Sequence, residues 1–290
     1  MILRRLFLPL LLLTLSLPWA SAQVSVKLQL GRTSFIYGET IPLVVSVTNL
    51  TGTDLTFEGD LQTPWIDFIV NSTRGVPLTP IGQPTFGKVT IPSGRTLSRT
   101  VDLRKLFPLR ELGNYSVYSI VKLPGQSGGS QSNRLLFNMS TAKPFWTQPV
   151  GVPGKPNVKH EYRVIRFTSG PKNQLYVQVA DEKSKSVLST HHLGEELGFG
   201  EPSVTVDGDL NLHVLYMVSP TFWGHAKVAP DGRFLSRDLY QPSAAGNPAL
   251  AKNNLGEVIL VGGIYYDAEE EARKRAAEKK ASDRPDFGEE

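Results

Sequence analysis

The residues of this 290-residue chain that could do chemistry gather in its second half. Asp207-Gly-Asp209-Leu-Asn211 places side-chain oxygens at alternate positions, as the start of a calcium loop does. A calcium loop then needs glycine at its sixth position and a bidentate carboxylate at its twelfth, where Leu212 and Val218 stand. Asp, Gly and Asn are also what a tight hairpin turn demands, so the segment reads as a turn and no metal site is expected. Of the five histidines, His191 and His192 are adjacent and point to opposite faces of any strand that carries them. His213 and His225 fall on neighbouring predicted strands, where pairing brings them within reach. With His160 they are expected to be hydrogen-bonded structural groups, because no HExxH and no carboxylate-rich setting accompanies them. Glu195, Glu196, Glu201 and Asp207 invite a glycosidase reading, which needs two carboxylates flanking one bond, but neighbours in sequence do not make an opposed pair. Trp223, His225 and Lys227 share one face of a strand, with Phe222, Ala226 and Val228 on the other. A tryptophan among polar neighbours suits carbohydrate or protein contact, so Trp223, His225, Lys227 and His213 are the expected binding residues. No P-loop or dinucleotide fingerprint occurs, and the chain has no cysteine, which excludes thiolate chemistry and a disulfide framework. No catalytic residue and no cofactor is expected.

The elements that must position these residues are repeated hairpins. Pro202-Ser-Val-Thr-Val-Asp-Gly-Asp-Leu-Asn-Leu-His-Val-Leu215 aligns without gaps on Pro248-Ala-Leu-Ala-Lys-Asn-Asn-Leu-Gly-Glu-Val-Ile-Leu-Val261, each position displaced by 46 residues (248 less 202). A weaker copy runs from Arg166 to Val177. Between copies, Trp223–Val228, the turn Pro230-Asp231-Gly232 and Phe234–Tyr240 form another hairpin, so each unit holds about four strands. A period in the forties with four strands per unit suggests propeller blades, here about two and a half of them. The P-S-V-x-V-D-x-x-x-N-L-H-V-L-Y run resembles the repeats of sialidase-like (BNR-type) propellers. That resemblance implies a partial propeller and, as an alternative function, glycan processing. The S-x-D-x-G-x-T-W box of the family is absent from this sequence, which implies scaffold without catalysis.

From Gln23 to Ser140 the pattern is period-two runs between turn signals: Val24–Leu30, Ile41–Val47 and Trp65–Val70 read as half-buried strands. Seven or eight short strands over this length imply an antiparallel β-sandwich. Leu112-Gly113-Asn114-Tyr115 before Ser116–Val121 matches a tyrosine corner, in which the phenol bonds back to nearby backbone. The order Val47-Thr-Asn49-Leu-Thr51, Leu55-Thr-Phe57, a strand from Gln62 to Val70, Ile91-Pro-Ser-Gly-Arg-Thr96 before Leu97, then Gly113-Asn-Tyr115 resembles the bacterial intracellular proteinase inhibitor family. The resemblance implies an immunoglobulin-like sandwich over 23–141 and, as a second alternative, proteinase inhibition through its loops.

The remaining segments bound the setting. Arg4-Arg5, an apolar run from Leu6 to about Leu17 and Ala20-Ser21-Ala22 read as a signal peptide over 1–22, too short to span a bilayer. The protein is therefore expected to be secreted or periplasmic in a bacterium, with no membrane span after cleavage. The whole chain carries a formal charge of +4, and the density of basic residues is too low in every segment for a nucleic-acid groove. Residues 142–158, with Pro144, Pro149, Pro153 and Pro156, are expected to form an extended linker to an all-β repeat region over 159–266. A charged helical or disordered tail, 267–290, follows, with Glu269, Glu270 and Glu271 four residues before Arg273, Lys274 and Arg275. The plan suits a non-catalytic interaction protein whose partner is a protein or an envelope glycan, with a weak homodimer through unpaired strand edges. Amino-terminal sequencing of the exported protein is expected to begin at Gln23; a start at Met1 in the envelope fraction overturns the cleavage.

Overall fold

The computed structural model describes residues 24–282 apart from Leu61, Thr85, Gly170 and Pro171, so the expected signal peptide and the end of the tail lie outside the described residues. Strand accounts for 57% of the chain and helix for 5%, which makes the fold all-β. In order, β1 (Val24–Leu30), β2 (Ser34–Ile36), β3 (Pro42–Asn49), β4 (Leu55–Phe57), β5 (Ile66–Asn71), β6 (Val89–Ile91), β7 (Thr96–Asp102), helix α1 (Leu103–Leu106), β8 (Gly113–Lys122), β9 (Gly129–Gln131) and β10 (Leu135–Ser140) occupy the first half. The second half holds β11 (Pro144–Val152), β12 (Lys155–Ser169), β13 (Lys172–Asp181), β14 (Val187–Glu196), β15 (Ser203–Val206), β16 (Leu212–Ser219), β17 (Phe222–Val228), β18 (Phe234–Pro242), β19 (Ala249–Lys252), β20 (Val258–Val261), β21 (Gly263–Tyr266) and helix α2 (Ala268–Ser282). The chain divides into two compact units, Met1–Thr33 with Ile41–Asn138, and Ser34–Thr40 with Met139–Glu290.

The first unit is built on alternation. Val24, Val26 and Leu28 are buried while Ser25, Lys27 and Gln29 are exposed, and the register sets Val26 against Val47 in the sheet β1-β3-β7. A second sheet runs β10-β8-β5 with β9 on β8, and β4 pairs β6. The Tyr115 hydroxyl donates to the Glu111 carbonyl at 2.7 Å, the bond expected of a tyrosine corner. Asp102 ends β7 and caps α1, its side chain accepting from Arg104 N–H.

The second unit contains two antiparallel meanders, β11-β12-β13-β14 and β15-β16-β17-β18-β21, and the separate hairpin β19-β20. Residues 142–158 are therefore not a linker: β11 pairs β12 along its length, with Val150 opposite His160, around a turn at Gly154 (φ +73°). The prolines misled because Pro144 and Pro149 sit on the edge strand β11 and Pro153 in the turn, where a missing N–H is tolerated, while Pro156 lies at the start of β12, ahead of its pairing with β13 at His160. Val150 and Val152 supply the buried face. The two meanders share one core: Tyr162, Val164, Leu175, Val177 and Leu193 from the first, Leu212, Val214, Tyr216, Ala226 and Val228 from the second. Tyr162 is fully buried, and its hydroxyl lies 3.0 Å from both the Leu210 and Val228 carbonyls.

The internal repeat coincides with structure strand for strand. β15 and β16 begin at Ser203 and Leu212, β19 and β20 at Ala249 and Val258, each displaced by the same 46 residues (249 less 203). The turn residues correspond as well: Asp207 accepts from Asn211 N–H at 2.7 Å and Asn253 from Glu257 N–H at 2.9 Å. The two turns touch through Gly208 N–H donating to the Gly256 carbonyl at 3.0 Å. The weaker Arg166 copy instead falls on β12-β13, the second hairpin of its sheet. The tail forms α2, with Asp267 accepting from the N–H groups of Glu269 and Glu270 at its start. Tyr162→Phe is expected to lower the unfolding free energy by about 1–3 kcal/mol, because the single hydroxyl proton shared between the Leu210 and Val228 carbonyls is lost; chemical denaturation measures it, and an unchanged midpoint removes the tyrosine from the core's polar bookkeeping.

Candidate functional site

Period two along β12 sends Tyr162 and Val164 into the core and Glu161, Arg163 and Ile165 to the opposite face. On β13, Val177 and Val179 point inward and Gln178 outward. Register sets Arg163 against Gln178 and Gln178 against Thr190, so three strands align three polar side chains in a row. Arg163 Nη1 donates to Gln178 Oε1 at 3.2 Å, and Gln178 Nε2 donates to Thr190 Oγ1 at 3.0 Å. The row ends on backbone: the Tyr37 carbonyl accepts from Gln178 Nε2 at 3.2 Å and from the Thr190 hydroxyl at 2.8 Å.

Those bonds hold Ser34–Thr40 against the outer face of β13-β14, with Ile36 packed on Ile165 and Tyr176. Gly38 makes the approach possible. Its φ is +93°, and a Cβ there would lie 2.5 Å from Val187 Cγ1 and 2.7 Å from Thr190 Oγ1.

Beside this segment lies an open cleft of about 650 Å³. Ile36, Ala142, Pro144, Ile165 and Val187 form its apolar wall, and Tyr37, Glu161, Arg163, Gln178, Lys185 and the hydroxyls of Ser184 and Ser186 line the rest. Glu161 bridges two cations: Oε1 accepts from Arg163 Nε at 2.6 Å and Oε2 from Lys185 Nζ at 2.9 Å. Lys185 and then Arg163 hold the Glu161 carboxyl below its ordinary range, against the opposing effect of burial. Lys185 adopts a left-handed backbone (φ +58°), in a turn that Asp181 fixes by accepting from the N–H groups of Lys183 and Ser184. All of these residues belong to the second unit.

The expected binding residues lie elsewhere in that unit, on the other sheet. β16 and β17 place His213 opposite Lys227 and Leu215 opposite His225, and the two imidazoles meet: His213 Nδ1 is 3.0 Å from His225 Nε2. His213 Nε2 in turn lies 3.0 Å from Asp207 Oδ2, which Lys227 Nζ approaches to 3.2 Å. Trp223 is 8% exposed and His213 3%, so these two are internal groups rather than the surface contacts expected of them. His213 is bonded to Asp207 of the adjoining turn, and Trp223 sits at the far end of β17 between Met217 and Tyr240 of the flanking strands. Asp207, read as a turn residue, is one, and its oxygens are occupied by Asn211, His213 and Lys227. His160, His191 and His192 have separate partners, the Pro230 and Gly232 carbonyls and Gln174. Glu196, one of the sequence-adjacent carboxylates, is closed off by a two-point pair with Arg166 at 2.7 Å on each side.

Burial raises the Asp207 carboxyl, but bonds from His213, Asn211 and Lys227 outweigh it and bring the group to about 2. Burial lowers both imidazoles. For His213 the Asp207 carboxylate opposes this, and for His225 the neighbouring His213 and Lys227 reinforce it, with Asp238 opposing, to about 4. Sequence reasoning found this histidine pair and missed the cleft. The available signal for the cleft was polar residues at alternate positions inside apolar runs, Tyr162-Arg163-Val164 and Val177-Gln178-Val179.

Fold and sites define an all-β chain of two compact units, the second carrying a polar-lined cleft and a buried carboxylate–histidine–histidine chain. No family model and no curated protein matches it. Among solved structures it is similar to Spo0M, a sporulation control protein from Bacillus subtilis, at 11% identity over 57% of this chain and 82% of that one, with a TM-score of 0.28; a likeness at that level carries no argument. No described helix is long and apolar enough to cross a membrane.

The histidine pair makes acid lability a consequence of the fold. Between the ordinary 6.5 and about 4 the unfolded chain binds a proton at His225 that the folded chain refuses, so stability falls as pH falls through that window. Below it, Asp207 continues the loss toward about 2. Urea midpoints across this range measure the slope; His225→Gln is expected to flatten the upper part, and an unchanged profile removes the pair from control.

Proposed function

We propose that the protein is an exported, non-catalytic binding protein that captures a component of the cell envelope in the cleft of its second unit. In this reading the first unit is an immunoglobulin-like sandwich, supported by the Tyr115–Glu111 bond and the two alternating sheets. The second is an incomplete propeller-like assembly, supported by its two meanders and by a third repeat that stops after one hairpin. The observation that carries the function is the state of Glu161. A general acid or base must exchange a proton, whereas this carboxylate is held ionised with both oxygens bonded to cations. It is suited to serve as a fixed acceptor that orients a ligand. The cleft volume falls in the range that ligand sites occupy, and its apolar wall with a few convergent polar groups is the usual composition of such sites.

Proteinase inhibition through the first unit and glycoside hydrolysis by the second are the competing readings. Saturable binding of the full mature chain to isolated envelope, weakened about tenfold or more by Lys185→Ala, is the expected outcome. Lys185 is more than half exposed, so the substitution leaves folding intact. Stoichiometric loss of protease activity, or turnover of glycoside reporters, overturns the proposal.

A further inference from the structure

We infer that the ligand of the cleft formed by Glu161, Arg163, Gln178, Lys185 and the Ser184 and Ser186 hydroxyls is a neutral, polyhydroxylated glycan. The inference rests on the reading of this cleft as a binding site and adds the chemistry of what it holds. Both cations are already bonded to one carboxylate, at 2.6 and 2.9 Å, which leaves a single excess positive charge shared between Arg163 and Lys185. An anionic ligand would meet that carboxylate, which already occupies the two cations. A cationic ligand would meet Arg163 and Lys185 and find one acid shared between them. Neither ionic class is well matched: an anion gains one shared positive charge against the repulsion of Glu161, and a cation meets two like charges for one acid.

A neutral hydroxyl does gain from it. Each sugar hydroxyl donates one bond and accepts others, and the cleft presents both kinds of partner side by side. Glu161 accepts. Arg163 has five N–H donors, of which Nε serves Glu161 and Nη1 serves Gln178. Lys185 can donate further bonds, whereas the Ser184 hydroxyl proton already serves Asp181 Oδ1 at 2.9 Å and the Ser186 hydroxyl lies 2.8 Å from Ser184 Oγ, so Ser186 Oγ offers an acceptor. The carboxylate and guanidinium are planar groups whose acceptors and donors point in fixed directions. They are also rigidly set: Arg163 and Glu161 side chains are only 16% and 19% exposed, and Gln178 is 6% exposed with its amide bonded on both sides. The C–H faces of a pyranose then have the wall of Ile36, Ala142, Pro144, Ile165 and Val187 to cover them. An extended peptide is the other neutral candidate, but peptides add to sheets through free strand edges. Here the polar floor is made by side chains of β12 and β13, both interior strands of their sheet.

The test is calorimetric titration of the full mature chain with neutral malto-, cello- and chito-oligosaccharides and with acidic oligogalacturonate, with amide chemical shifts of Ser184–Val187 followed in parallel. Glu161→Gln removes the fixed charge and keeps the shape. At least one neutral oligosaccharide is expected to bind and to shift these amides, and Glu161→Gln is expected to weaken it by about tenfold or more, as loss of a hydrogen bond to a charged group does. The variant's unfolding midpoint reports that the fold is intact. Binding of oligogalacturonate alone, tightened in Glu161→Gln, overturns the neutral-glycan assignment and leaves the cleft as a binding site. Failure of every sugar to move the Ser184–Val187 amides overturns the glycan assignment; if Lys185→Ala also leaves envelope binding unchanged, the cleft reading falls with it.

Discussion

The second unit depends on the double-sidedness of β12 and β13. Both are interior strands, and on both one face is given to Tyr162, Val164, Val177 and Val179 in the shared core. Period two then leaves Glu161, Arg163 and Gln178 no freedom: they must emerge on the opposite face, in register, within hydrogen-bond reach of one another. A shift of one residue in the pairing would bury the charges and expose the valines. The same apolar packing that stabilises the unit therefore also fixes the geometry of the cleft, and no loop has to be ordered to assemble its floor.

The two polar clusters of the unit show opposite uses of ionisable groups. In Asp207–His213–His225 the carboxylate and the first imidazole are buried, burial lowers both imidazoles, and the carboxylate is consumed by a turn, a histidine and a lysine. Such an arrangement specifies which hairpin ends meet, because an unpaired buried carboxylate would be costly. In Glu161–Arg163–Lys185 the charges are kept at the wall of an open cavity, partly wetted, with donors still uncommitted.

Much of the fold was legible in the sequence, and the reasons are physical. Strong alternation in Val24–Leu30 gave β1 its bounds, and the 46-residue displacement located two hairpins to the residue (252 less 206 for their inner ends). Tyr115 announced its own bond to Glu111. Proline density concealed β11, because sequence does not show whether a strand is at an edge, where proline is harmless. Trp223 was read as a surface group from its polar neighbours His225 and Lys227, whereas in the sheet it lies between Met217 and Tyr240 and is buried. The cleft was hidden for a different reason. Its floor is local to β12-β13, but one of its walls comes from Ser34–Thr40, distant in sequence. Neither spacing nor periodicity can report a partner that far along the chain.

That distant wall carries a temporal consequence. The bonds from Gln178 and Thr190 to the Tyr37 carbonyl join residues 141 and 153 positions apart. During synthesis residues 34–40 leave the ribosome early, and the side chains of β13 and β14 that bond the Tyr37 carbonyl follow much later. The sheet's inner face can form from neighbours in sequence, whereas its outer wall must wait for a closure across about half of the chain, which is entropically slow. The cleft is thus a late product of folding, completed after the core that supports it.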